Sequence, residues 1–167
     1  MKKGPNSITV ICYGNMCRSP VGEYLLRYYA RQSPFPQIQA IKFDSAGTHG
    51  GWSGMDDFSE KYLKEKGIQT DEFQSKRISR AYLDNYDLIL VMEEYMRDEI
   101  LRTKYENVDP SMRDAVEKRI MTFKEAAGLQ GDISDPVATS WDHYHKIMDE
   151  IDMIAMKIIT ILEQSLN

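Results

Sequence analysis

The chain holds little of what staples a protein or threads it through a membrane. Two cysteines in 167 residues are too few for a disulfide framework or a structural zinc site, so reduced thiols are the expected resting state. No apolar run reaches the length of a signal-peptide core or a membrane span, and Gly4, Pro5 and Asn6 follow directly on Lys2 and Lys3. A cytoplasmic location without membrane insertion is the expectation. Basic residues are outnumbered, 21 Lys and Arg against 26 Asp and Glu for a net charge of −5. That argues against a nucleic-acid partner, because such proteins neutralise phosphates with a basic face. Any anion site has to be local. No internal repeat, low-complexity tract or linker divides the chain, and 42% apolar residues suffice for one sizeable core. One domain over 1–167 is expected.

What is present alternates. Short β-rich runs and helical patterns follow one another as Ser7 to Cys12, Pro20 to Gln32, Gln39 to Asp44 and Asp56 to Lys66, which predicts a parallel sheet covered by helices. Tyr86 to Met92 (Y-D-L-I-L-V-M) is the clearest strand, apolar without interruption, as expected where both sheet faces are covered. Arg119 to Phe123 is a weaker fourth. Near the end, Tyr144, Ile147, Ile151, Ile154, Ile158 and Leu162 recur at spacings of three and four, one apolar stripe that belongs in a core. Gly128 to Ser134 is a loop long enough to carry function.

Both cysteines lie in one stretch, V-I-C-Y-G-N-M-C-R-S-P from Val10 to Pro20. In an open parallel α/β sheet ligands bind at the carboxyl ends of strands, where this stretch leaves the first strand. Tyr13 to Arg18 then forms a loop feeding a helix that starts near Ser19 and Pro20, proline being suited to a first helical turn. Successive backbone N–H groups ending on a helix N-terminus make an anion cradle. Gly14 and Asn15 tolerate the positive φ angles such a ring requires, and the planar fork of Arg18 can hold two oxygens of a tetrahedral oxyanion. The field that holds a phosphate also favours a thiolate, so Cys12 is expected to be an ionised nucleophile. It could attack a phosphate monoester in line and form a cysteinyl-phosphate that water hydrolyses. Ser19 could donate a hydrogen bond to the departing sulfur.

At these residues the chain resembles the low-molecular-weight protein tyrosine phosphatases, whose signature C-x-G-N-x-C-R-S-P stands here as C-Y-G-N-M-C-R-S-P. The resemblance continues through D-S-A-G-T at Asp44 to Thr48 with Trp52 following, Gly67-Ile68, Tyr86 to Met92, and Asp135-Pro136 before the last helix. It implies an α/β fold with a four-stranded parallel twisted sheet, helices on both faces and the phosphate loop after the first strand. It further implies no metal or organic cofactor, Cys12 as nucleophile, Arg18 as phosphate binder and Asp135 as general acid. Proteins carrying phosphotyrosine would be the partners, with inorganic phosphate or other oxyanions in the site. Chemistry asks for an acid independently, since a phenolate leaves poorly without a proton. Two Asp-Pro pairs could supply it: Asp109-Pro110, which reads as a turn entering a helix, and Asp135-Pro136, which is preferred for following the Gly-rich loop. Cys17 would trap an oxidised Cys12 as a disulfide, as the family's second loop cysteine is thought to do. Met16 is apolar where relatives acting on phosphoarginine are expected to carry threonine, which favours phosphotyrosine. Tyr13 and Trp52 would offer aromatic contact to its ring.

Three departures stand out. Val137 and Ala138 replace the aromatic residues that often follow the acid, leaving a pocket wall to Tyr13, Trp141 or Tyr144. F-Q-S-K-R at Phe73 to Arg77 replaces a histidine-led motif that braces the phosphate loop, so that hydrogen bond is expected to be lost. Glu93 stands where aspartate is usual. Arsenate reductases share the loop, but relay oxidation through further cysteines that this chain lacks. A weakly active phosphotyrosine-binding module is the remaining alternative, against which the intact Cys12, Arg18 and Asp135 argue.

Overall fold

Residues 4–51 and 53–166 are described by a computed structural model. Strand β1 (Ser7–Cys12) leads through the phosphate-loop segment into helix α1 (Arg18–Gln32). A short turn of helix, α2 (Pro36–Gln39), brings the chain back to β2 (Lys42–Gly47), followed by α3 (Asp57–Glu65) and α4 (Arg80–Leu83). Strand β3 (Leu88–Val91), helices α5 (Glu94–Lys104) and α6 (Pro110–Glu117), strand β4 (Ile120–Thr122), α7 (Phe123–Ala126) and the long α8 (Trp141–Gln164) complete the order. The four strands are all parallel and lie in the order β2-β1-β3-β4.

Alternation along the central strands sorts side chains to two cores. Ile8 and Val10 of β1 and Leu90 of β3 pack with α1, α3 and α8 on one face, while Ile11, Ile89 and Val91 pack with α4, α5 and α6 on the other. The chain order reverses at β1, whose helix α1 covers one face while α5, after β3, covers the opposite one. A crevice therefore opens at the carboxyl ends of β1 and β3, the place where such sheets take ligands. The apolar stripe of α8 is core, with Tyr144, Ile147, Ile151, Ile154 and Ile158 all buried. No helix among the described residues is long and apolar enough to cross a membrane.

The second strand lies three residues later than its sequence suggests. Gln39 is taken up by the helical turn that Pro36 begins, and it is Asp44-Ser45-Ala46-Gly47 that pairs with Thr9 to Cys12. These residues have weak strand propensity and are held by their neighbours. Gly47 shows why: a Cβ there would sit 2.6 Å from the Tyr13 carbonyl oxygen and 2.9 Å from the Asn15 nitrogen, so only glycine lets the strand end pass beneath the loop. Helix α5 left little periodic trace, since only Met96 and Ile100 of its eleven residues are buried.

Candidate active site

The loop from Tyr13 to Cys17 is held from outside by its carbonyls. Thr48 N donates to the Cys12 oxygen, His49 N to Tyr13, Ser75 Oγ to Gly14, Asp56 N to Met16 and Ser59 Oγ to Cys17, at 2.8 to 3.2 Å. In a planar trans peptide the next N–H points opposite to the carbonyl, so outward carbonyls turn the loop's N–H groups inward, the arrangement of an anion nest. Asn15 completes the ring with φ of 52°, a left-handed conformation that asparagine tolerates better than most residues. Helix α1 then begins with no side-chain cap from Cys17 and no acidic residue in its first turn. Its positive end is left for an anion.

Cys12, Tyr13, Gly14, Met16, Cys17, Arg18, Asp56, Asp135 and Val137 line one cavity of about 380 Å³. Cys12 Sγ lies 3.0 Å from Ser19 Oγ, and Asn15 and Ser19 stand fully buried behind the loop. Arg18, 2% exposed, is fixed from beyond β3 and from the loop before α8: one nitrogen, Nη1, bonds Glu93 Oε1 at 2.5 Å and the Ile133 carbonyl at 2.6 Å. Its Nη2 lies 3.6 Å from Asp135 Oδ2. Burial by itself would lower the guanidinium's proton affinity, but Cys12, Glu93 and Asp135 outweigh it and raise it. Asp135 sits on the rim with its side chain half exposed, and its Oδ1 accepts from Val137 N at 3.1 Å. Cys17 is different in kind: burial foremost pushes its thiol up to about 12, so at neutral pH it is a protonated thiol.

Of the residues singled out in the sequence, Trp52 lies outside those described, while Cys12 to Ser19 and Asp135 gather at this loop. Asp109 does not join them; it caps α6, accepting from Ser111 N at 2.8 Å. Two of the three suggested pocket walls are absent from the cavity lining. Trp141 packs against Phe58 and His145. Tyr144 is buried beneath the loop, 2.6 Å from Ser59 Oγ. Tyr13, stacked on His49 with ring centroids 4.4 Å apart, provides the aromatic wall among the described residues, with Met16 and exposed Val137 beside it. The Phe73 to Arg77 segment, which has no histidine to give the imidazole hydrogen bond, braces the loop in another way. Ser75 Oγ bonds the Gly14 carbonyl and Lys76 N bonds Asn15 Oδ1 at 2.9 Å, so a hydroxyl and a backbone amide brace the loop without an imidazole. Ser75 in its loop, Asp56 capping α3 and Ser59 inside α3 escaped the sequence reading as site residues, because single polar groups distant in sequence carry no local signal of what they meet.

Fold and loop together define an α/β protein that presents a cysteine and an arginine in an anion nest at the carboxyl edge of its sheet. The chain belongs to the low molecular weight phosphotyrosine protein phosphatase family, whose sequence profile matches residues 7–167. It is 29% identical over 160 residues to the probable low molecular weight protein-tyrosine-phosphatase AmsI of Erwinia amylovora, covering 95% of this chain and 99% of that one. Tyrosine phosphatase Wzb from Escherichia coli K30, solved with sulphate, superposes with a TM-score of 0.78 at 25% identity, over 95% of this chain and 99% of its own. The YwlE arginine phosphatase of Geobacillus stearothermophilus superposes with a TM-score of 0.80 at 25% identity, over 96% and 95%.

Proposed function

We propose that this protein hydrolyses phosphotyrosine in proteins, and small aryl phosphates, through a cysteinyl-phosphate. The observation that carries the reading is Cys12 Sγ in a cavity it shares with Arg18 and Asp135, at the mouth of an uncapped helix. The phosphoryl group sits in the nest with two oxygens on the Arg18 fork. Cys12 Sγ attacks phosphorus as the bond to the tyrosyl oxygen breaks, and Asp135 gives that oxygen its proton. Water then attacks the cysteinyl-phosphate, Asp135 takes up a proton, and inorganic phosphate departs as the sulfur leaves as thiolate beside the Ser19 hydroxyl. Glu93 and the Ile133 carbonyl hold the fork in place throughout.

Apolar Met16 and the Tyr13 ring suit an aryl group, which supports phosphotyrosine over the phosphoarginine suggested by the YwlE likeness. Arsenate reduction is not favoured by the family, nor by a chain with two cysteines. The role of Asp135 is tested by leaving-group dependence. In Asp135→Asn, hydrolysis of phosphotyrosine should fall by about 10²- to 10⁴-fold, the usual worth of general acid help, and far less for an aryl phosphate whose phenolate is already a weak base. Asp109→Asn should show no such dependence. An equal fall across leaving groups would mean that the acid is misassigned. Phosphotyrosine and phosphoarginine peptides compared on the wild-type protein decide the substrate class.

Mild peroxide should inactivate the protein reversibly. Peroxide oxidises the Cys12 thiolate to a sulfenic acid, and the Cys17 sulfur displaces water from it to form the disulfide. Because the Cys17 thiol is held up at about 12, bridging should quicken as pH rises from neutral. Cys17→Ser should lose activity irreversibly under the same dose. Intact mass after inactivation and thiol recovery reads the bridge, and its absence from recoverable protein overturns the role.

A further inference from the structure

We propose that Tyr144 is a positioning residue for the redox chemistry of the loop: its buried hydroxyl donates a hydrogen bond to the Cys17 sulfur as that sulfur closes a disulfide on an oxidised Cys12. The proposal rests on the reading of Cys17 as the thiol that traps Cys12. Tyr144 stands in the first turn of α8 and is 2% exposed. Its ring packs edge-on against Phe58 with centroids 5.3 Å apart, a contact that needs only the ring. The hydroxyl is what that packing leaves unexplained, and hydrolysis as described above makes no use of it.

The hydroxyl has one hydrogen and two acceptors for it. Ser59 Oγ lies 3.0 Å from the Cys17 carbonyl, which can only accept, so the Ser59 hydrogen goes there. Ser59 Oγ then receives the Tyr144 hydrogen at 2.6 Å. The Cys17 sulfur is the other acceptor, in a hydrogen bond that favours its thiolate. While the sulfur is a thiol it accepts weakly and the hydrogen rests on Ser59; once charged it is the stronger acceptor and the hydrogen turns to it. Tyr144 can donate in either state, because burial foremost, then the charge of Cys17, holds its own proton well above the usual phenol range. Burial opposes charge on Cys17 most, and Asp56 at the head of α3, Cys12 at the end of β1 and Asp135 before α8 add to that opposition. The Tyr144 hydroxyl works against them.

Both cysteines line one cavity. Peroxide oxidises the Cys12 thiolate to a sulfenic acid by giving up one oxygen. Cys17, its proton released, attacks that sulfur; the S–S bond forms, the S–O bond breaks, and hydroxide leaves and takes up the released proton as water. At neutral pH the Cys17 thiol, held up at about 12, and the finished disulfide are both uncharged, so the charge on this sulfur exists only on the way between them. A donor that meets only the charged form changes rates and not end states. It should speed closure and, equally, reopening by an external thiol, which expels Cys17 as thiolate. Loosened packing would act otherwise, by weakening the bridge itself. Speed matters because further peroxide takes the sulfenic acid on to sulfinic acid, which thiols do not reverse.

The test compares wild type, Tyr144→Phe and Cys17→Ser. A peroxide pulse is ended with catalase, samples are quenched in acid, and intact and fragment masses follow Cys12 from sulfenic acid to the bridge. Glutathione then supplies the reopening rate and, mixed with its own disulfide, the equilibrium of the bridge. Tyr144→Phe should close and reopen the bridge roughly threefold to tenfold more slowly at neutral pH, because a hydrogen bond to a charged sulfur is lost while a more basic thiolate, attacking better, offsets about half of the effect. Its equilibrium with glutathione should not move, nor should kcat and KM on an aryl phosphate. Under lasting peroxide it should lose more activity beyond recovery by thiol than wild type does, approaching Cys17→Ser. Wild-type rates in Tyr144→Phe, or slower closure together with a weakened bridge, overturn the proposal. A wild-type protein that forms no bridge between Cys12 and Cys17 would instead overturn the trapping role on which the proposal rests.

Discussion

Cys12→Ser should abolish turnover while leaving the fold and phosphate binding in place. Cys12 is buried, 3% exposed, and its sulfur is replaced by a smaller atom of the same valence, so β1 keeps its pairing with β2 and β3. The nest, the start of α1 and the Arg18 fork, proposed above to bind the anion, are unchanged. What is lost is the proposed nucleophile, because an unactivated serine hydroxyl attacks far more weakly than a cysteine sulfur. Titration calorimetry with inorganic phosphate should show binding, and a phosphotyrosine peptide assay should show none of the hydrolysis. Turnover within about tenfold of wild type, about 1.4 kcal/mol of barrier, would rule out the covalent route.

Arg18→Lys should cost nearly as much for a different reason. The fork works because its nitrogens do separate things: Nη1 is held by Glu93 and the Ile133 carbonyl, which leaves the rest of the guanidinium to face the anion and Asp135. A lysine has one nitrogen for both tasks. Held by Glu93 it cannot reach the phosphoryl oxygens bidentately, and reaching them it leaves Glu93 unpaired. The charge survives and the geometry does not, so kcat should fall on the order of 10²- to 10³-fold, the usual loss for a preorganised transition-state contact, with KM rising as well. Rates near wild type, with thermal unfolding unchanged, would contradict the assignment.

Much of this was legible in the chain because the residues concerned are close in sequence. Cys12, Asn15, Arg18 and Ser19 span eight positions, so one strand, one tight loop and one helical turn suffice to bring them together. Local chemistry such as a glycine, an asparagine and a proline at the right places is enough to write that loop. The strand of Tyr86 to Met92 and the stripe of α8 were equally plain, since burial on two faces or on one leaves a periodic apolar trace. Asp135 was reachable only by choosing between two Asp-Pro pairs, and it is the tertiary fold that sets Asp109 to capping α6 and Asp135 on the cavity rim.

Sequence alone therefore determined the Cys12 to Arg18 loop and the alternating order of strands and helices, both products of short-range propensity and periodicity. Tertiary structure decided everything that meets the loop from elsewhere. Glu93 and Ile133 reach Arg18 from 75 and 115 positions away, Ser75 and Lys76 brace Gly14 and Asn15 from 61, and Ser45 meets Asn15 from 30. No local pattern announces such partners. They converge because parallel strands ordered β2-β1-β3-β4 bring the carboxyl ends of distant segments to one edge, where an unpaired polar group beside the loop would be costly and each is matched with the group it faces.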